Sequence, residues 1–288
     1  MPGRSFNILK VFTAAVAITF IFSGNQTFAQ QNISGKINEY SKVISLGTNN
    51  VVVFDATAFN KNDTVLLIQM AGVIITANPS TGYGDYHDKL GSPGKYEFLI
   101  INSVDKGTKT VTFTQSLINI YDPKGRVQLV KVPSFREATV SSTLTCAAWD
   151  SAKGTGGVLA LVAGHKLILN SDIDASGKGF KGGIATMSPG DCQVVATSFN
   201  FYDASSTASG FKGEGIGNKC NNNITTTDIY PGNAKGKAPS FSGGGGGNGH
   251  YSGGGGGSNY GAAYNWNEFT NRVSGGSEIT GCDFLGGA

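Results

Sequence analysis

Glycine restricts this chain more than any other residue. Of 43 glycines in 288 residues, 11 precede residue 150 and 32 follow it, including two runs of five at 243–247 and 253–257. Glycine loses more backbone freedom on folding than any other residue. Such a tract is therefore ordered only where backbones pack closely, as bundled polyproline-II-like segments do, and is otherwise a flexible loop. No G-x-y period is present, which excludes collagen, and 14% charged residues are too few for coiled-coil heptads. Hydrophobic residues make up 39% and aromatics 10%, enough apolar surface for a folded core.

The first 29 residues read as an export address. Arg4 and Lys10 give a basic start, and twelve mostly apolar residues run from Val11 to Phe22, followed by Thr27-Phe28-Ala29. Twelve residues rise only about 18 Å as a helix, short of a ~30 Å hydrocarbon core, so a cleaved secretory signal is expected rather than an anchor. No later run approaches spanning length. The formal charge of +3 falls to about +1 without Arg4 and Lys10, which argues against a nucleic-acid or anionic-membrane partner.

Export makes disulfides plausible for Cys146, Cys192, Cys220 and Cys282, which contain no C-x-x-C pair. Cys192 with Cys220 is the favoured pair. It would close a loop of nearly thirty residues, worth about 3–4 kcal/mol in the chain-entropy view. Buried free thiols are the alternative.

From about 35 to 145 the chain reads as strands and turns. Val51-Val52-Val53-Phe54, Val65-Leu66-Leu67-Ile68, Tyr96 to Val104, Thr110 to Thr114, Val127 to Val132 and Ala138 to Val140 are short β-branched or aromatic runs. Gly91-Ser92-Pro93-Gly94, Asp105-Lys106-Gly107 and Asp122-Pro123-Lys124-Gly125 mark turns between them. An all-β unit follows. Beyond Gly154, Val158 to Ala163 and Leu167-Ile168-Leu169 read as two brief strands joined by a turn at Gly164-His165-Lys166, with a third at Ile173. Successive faces of a parallel β-helix have this form, and so does a plain hairpin and meander.

Several motifs have a chemical and a plain reading. Gly177-Lys178-Gly179-Phe180-Lys181-Gly182 satisfies G-x-G-x-x-G, but no helix follows to face a pyrophosphate, so no dinucleotide site is expected. Asp172, Asp174 and Ser176 stand where a calcium loop places its first oxygen ligands, with Gly177 at the sixth position. The twelfth position is Gly183 rather than glutamate, so calcium competes with a solvated surface pair. Asp85 and Asp88 beside His87 form a similar, weaker pair. His87, His165 and His250 share no zinc spacing, and neither a nucleophile elbow nor a P-loop occurs. Tyr251, Tyr260 and Trp266, interleaved with Asn and Gly, are candidate glycan contacts by stacking on sugar rings, or else anchors of loops to a core.

Asp63 to Met70, Lys95 to Phe98 with Ile101, and Val127 to Pro133 lead in order into Trp149-Asp150, Gly156 to Leu159 and Ile173 to Gly183. This succession resembles the N-terminal part of large secreted glycine-rich, adhesin-like surface proteins of Bacteroidota. That resemblance implies export by the type IX system through a C-terminal sorting domain. The chain stops at Leu285-Gly286-Gly287-Ala288 in mid-pattern, so it is expected to be incomplete at its C-terminus. The strand order of 63–135 also resembles a small β-barrel inserted near the start of pectate-lyase-like β-helices.

The expected organisation is therefore a signal peptide over 1–29, a barrel-like all-β domain over 30–145 and a glycine-rich β-solenoid-like region over 146–288. The expected role is that of a secreted or cell-surface protein, structural or adhesive and non-catalytic, whose partners are extracellular glycans or cell-surface components. A carbohydrate-active β-helix lyase or hydrolase and a glycan-binding module are the alternatives. No cofactor is expected apart from the calcium candidate.

Overall fold

The computed structural model describes residues 30–75, 91–184, 186–187, 210–217, 235–236, 242–246 and 251–252. The expected signal peptide, Cys192, Cys220, Tyr260 and Trp266 lie outside them. Among the described residues the chain is all-β, with one 3-10 turn at Pro123–Gly125.

Six strands close into a barrel. They are β2 (Glu39–Leu46), β3 (Asn50–Val53), β4 (Thr64–Gln69), β5 (Tyr96–Asp105), β6 (Thr110–Phe113) and β7 (Val127–Val132), in the order β2-β3-β6-β5-β4-β7. Every neighbouring pair is antiparallel, and β7 closes the ring by pairing Val130 with Tyr40 of β2. Alternation sends Val43, Val51, Val65, Leu67, Leu99 and Leu129 into a dry interior with Phe59 and Phe113. The turns form where the sequence marks them. Asp105 Oδ1 accepts from the Gly107 and Thr108 N–H groups, and Asp122 Oδ1 accepts from Lys124 N–H.

Three further strands form a parallel sheet: β1 (Gln31–Lys36), β8 (Ser134–Thr145) and β9 (Val162–Leu169), with β8 in the middle. The connection from β1 to β8 is the entire barrel. Its first and last strands, β2 and β7, are hydrogen-bonded neighbours, with Glu39 across from Lys131.

The expected turn at Gly164-His165-Lys166 is not a turn. Val162–Leu169 is one strand, and Gly164 and His165 together oppose the single residue Arg136 as a bulge. One extra residue is absorbed within a continuous ladder, which a sequence pattern reads equally well as a break. Of the strand expected over Val158 to Ala163, only Val162 and Ala163 lie in one; residues 156–161 instead form an extended strap between barrel and sheet. Val158 and Ala160 pack on the outer barrel face against Leu66, Val130 and Val132. Leu159 and Leu161 pack on Ile33, Ala138, Val140 and Leu144 of the sheet.

Side chains rather than a strand satisfy the strap's backbone. Asn38 donates to the Ala160 carbonyl at 2.6 Å and accepts from its N–H at 3.1 Å. Gln128 does the same for Gly156 at 3.0 and 2.9 Å, and Tyr40 donates to the Val158 carbonyl at 2.6 Å. At Gly156, where φ is +98°, a Cβ would lie 2.3 Å from the Ala148 carbonyl oxygen, so only glycine fits.

Of the two readings of the glycine-rich tract, close backbone packing holds for its described part. Gly213 N–H donates to Gly244, and Gly246 N–H to Gly236, both at 2.7 Å. A Cβ on Gly246 would meet the Gly210 carbonyl oxygen at 2.0 Å. The packed segment joins the barrel where Gly72 and Val73 donate to the Ile216 carbonyl at 2.9 and 3.0 Å. Glu214, almost fully buried, accepts from Ser151 Oγ and from Lys181 N–H. A short antiparallel pair, β10 (Thr186–Met187) with β11 (Tyr251–Ser252), lies nearby in sequence.

Candidate functional site

The outward residues of β4 and β7 are covered by the strap, but those of β5 are not. Alternation on β5 turns Glu97, Leu99 and Ile101 inward and Tyr96, Phe98 and Ile100 outward. The outward three are 58%, 48% and 40% exposed. Tyr96 stands directly across from Ile68, and Phe98 from Leu66, so the open stripe continues the apolar face that the strap covers. The two rings meet edge to face, with centroids 6.2 Å apart.

A buried acid extends this surface. The Glu97 carboxylate accepts from Ile118 N–H at 3.1 Å and from Asn119 N–H at 3.2 Å. Asn119 Nδ2 donates to the Tyr96 carbonyl at 3.2 Å, and Ser92 Oγ to the Ile120 carbonyl at 2.6 Å. These bonds hold 118–120 beside the start of β5, with Ile118 and Ile120 80% and 82% exposed. Beneath them, burial and the adjacent Glu97 carboxylate push the Tyr121 phenol above its ordinary range. Single exposed apolar side chains are ordinary, but five around one strand end, two of them aromatic, form an exposed apolar cluster among the described residues. Asn119 and Ser92 place polar groups at its margin.

The calcium candidates have a local role. Asp172, Asp174 and Ser176 are all exposed, and Asp174 Oδ1 accepts from Ser176 N–H at 2.8 Å. Hydrogen bonds from Ser176 hold the Asp174 carboxyl below the usual range. Among the described residues no three His, Cys, Asp or Glu side chains converge to hold a metal ion. Ile173 pairs with Leu144 of β8, so Asp172 and Asp174 flank the continuation of the parallel sheet. Tyr251 is described only as backbone in β11, while Tyr260 and Trp266, the other stacking candidates, lie outside the described residues. Cys146 is a buried free thiol, pushed up in pKa by that burial.

The sequence marks Tyr96 and Phe98 as strand residues without marking their side chains as exposed. The one available signal was Tyr96 to Ile101 itself, apolar on both faces except at Glu97. It says that both faces want cover, not which face receives it.

No protein-family model and no curated protein matches this chain. Two solved tailspikes are structurally similar to part of it. One, from Acinetobacter baumannii bacteriophage AP22 and solved with a capsular saccharide, is 17% identical over 38% of this chain and 17% of its own, with a TM-score of 0.25. The other, from Pseudomonas phage LKA1, is 14% identical over 41% of this chain and 20% of its own, with a TM-score of 0.21. At such scores neither likeness carries an argument about this chain. It spans a fifth or less of either tailspike.

Proposed function

We propose that this is an exported, non-catalytic adhesive protein that binds carbohydrate on the outer face of β5. The observation that carries this reading is the open stripe of Tyr96, Phe98 and Ile100, extended by Ile118 and Ile120. Aromatic rings held rigidly on a strand offer flat apolar area at low entropic cost, which suits the C–H faces of sugar rings, while Asn119 and Ser92 supply hydrogen bonds at the edge. In the same reading residues 1–29 are cleaved on export, the parallel sheet of β1, β8 and β9 begins a solenoid, and the protein works at the cell surface or beyond.

The test is a glycan array probed with the mature chain and with Tyr96→Ala and Phe98→Ala. Each variant should lose roughly five- to tenfold in affinity while keeping the wild-type melting temperature. Binding that is absent, or unchanged in both variants, would overturn the reading. Release of reducing ends or unsaturated products from a polysaccharide panel would replace adhesion by catalysis.

A further inference from the structure

We infer that the outer face of β5 selects uncharged sugars, and that the buried carboxylate of Glu97 excludes acidic ones. This selectivity rests on the carbohydrate reading of that face. It follows from the direction of the hydrogen bonds at the margin. Asn119 Nδ2 donates to the Tyr96 carbonyl at 3.2 Å and to the Tyr121 hydroxyl at 3.4 Å. A carbonyl can only accept, so the amide nitrogen must face it, and both amide hydrogens are committed. Ser92 Oγ commits its one proton to the Ile120 carbonyl at 2.6 Å. What Asn119 and Ser92 keep for a ligand is therefore lone pairs, on the amide Oδ1 and on the hydroxyl oxygen. Only the Tyr96 phenol, among these side chains, can either donate or accept.

A negative charge stands behind these acceptors. Glu97 is 8% exposed, and its carboxylate accepts from Ile118 and Asn119 N–H at 3.1 and 3.2 Å and bonds the Tyr121 phenol. Those partners are all neutral, and among the described residues no Lys, Arg or His pairs with Glu97. The charge is thus fixed in place without being cancelled, beneath the exposed Ile118 and Ile120, where repulsion of an anion is stronger than in bulk water. The ring faces of Tyr96 and Phe98 present the negative side of their quadrupoles and add to the same bias. A sugar hydroxyl brings the proton that Asn119 and Ser92 can accept, whereas a uronate or sulfate group brings further acceptors and a second negative charge. Lys95, next to Tyr96 in the chain, opposes this bias, but it is exposed. Water and salt screen an exposed charge more than a buried one.

The test is an array of glucan, mannan and galactan tetrasaccharides, each beside its C6-oxidised uronate and its C6-amino counterpart. The mature chain should bind a neutral member at least about tenfold more tightly than its uronate, and Tyr96→Ala should weaken that binding. Glu97→Gln should bring the uronate to within about threefold of the neutral sugar, and Lys95→Gln should leave the ratio as it is. A uronate bound through Tyr96 as tightly as its neutral partner would overturn the selectivity and leave the carbohydrate reading standing. A ratio unchanged in Glu97→Gln would overturn the role of that carboxylate. Should Glu97→Gln fail to fold, the amino sugar decides: it should bind at least as tightly as the neutral one, and binding as weak as the uronate's overturns the role of Glu97. No binding by any member, or binding indifferent to Tyr96→Ala, overturns the selectivity together with the carbohydrate reading.

Discussion

Lys106 closes one end of the barrel with a single ammonium. Its Nζ donates to the carbonyls of Ala56, Thr57 and Phe59, while Lys131 Nζ takes the Ala58 carbonyl at 3.0 Å and pairs with Asp63 at 2.8 Å. Replacing Lys106 with Met removes these donors but keeps the aliphatic stem. We expect a loss of about 1–2 kcal/mol in urea unfolding with the slope unchanged; no loss would mean that water serves the carbonyls equally well. Turn acids set the response to low pH. Asp105 is held below its ordinary 3.8 by the Thr108 and then the Gly107 hydrogen bonds, and Asp150 chiefly by the Lys153 N–H. A depressed folded-state pKa adds stability that is present above about pH 4 and disappears as pH falls through the folded value. Melting temperatures should thus be flat from pH 7 to 5 and fall below 4, and Asp105→Asn should lower only the neutral-pH plateau.

At the scale of elements, the strap at 156–161 decides whether barrel and sheet act together. Asn38→Ala removes both bonds to Ala160 and a third to the Lys131 carbonyl at 2.9 Å. It should cost about 2–4 kcal/mol and speed hydrogen exchange at the Ala160 amide far more than at Val65 in the barrel. Burial first, then the negative charge of Cys146 and Glu39, push the Tyr40 phenol up to about 12. A raised folded-state pKa gives stability that is whole below pH 10 and is lost as pH rises toward 12. Tyr40→Phe should shrink that alkaline step to the part that Tyr121 contributes, read as tyrosinate absorbance against unfolding. The strap also marks where the sequence stops being legible. Val158 to Leu161 has the composition of a strand, but its polar partners, Asn38, Tyr40 and Gln128, are 28 or more residues away, and no local pattern announces side chains standing in for a ladder. The apolar runs at 158–163 and 167–169 are not strands covered on both faces: Val158 to Leu161 is strap and Val162–Leu169 is largely exposed, while the strands so covered are β4 and β7.

At the scale of the whole molecule, strand runs and turn tetrads were enough to read an all-β chain, because both signals are local. Closure of the barrel and its position inside one crossover of the parallel sheet both depend on contacts between distant residues. Because β2 and β7 are neighbours, residues 37–133 excised alone should give a β-type circular dichroism spectrum and a cooperative melt. That melt should come below that of the full chain, since Leu66, Val130 and Val132 lose their cover. A non-cooperative melt would show that the ring needs the sheet.

The parallel pairing of β1 with β8 and of β8 with β9 has a mechanical consequence. A pull that separates the start of β1 from the end of β9 slides these strands lengthwise, so their ladder bonds share the tension instead of unzipping one by one. The barrel, stored between β1 and β8, carries none of that tension until the ladder shears. It then offers nearly a hundred residues of slack, as a shock absorber would.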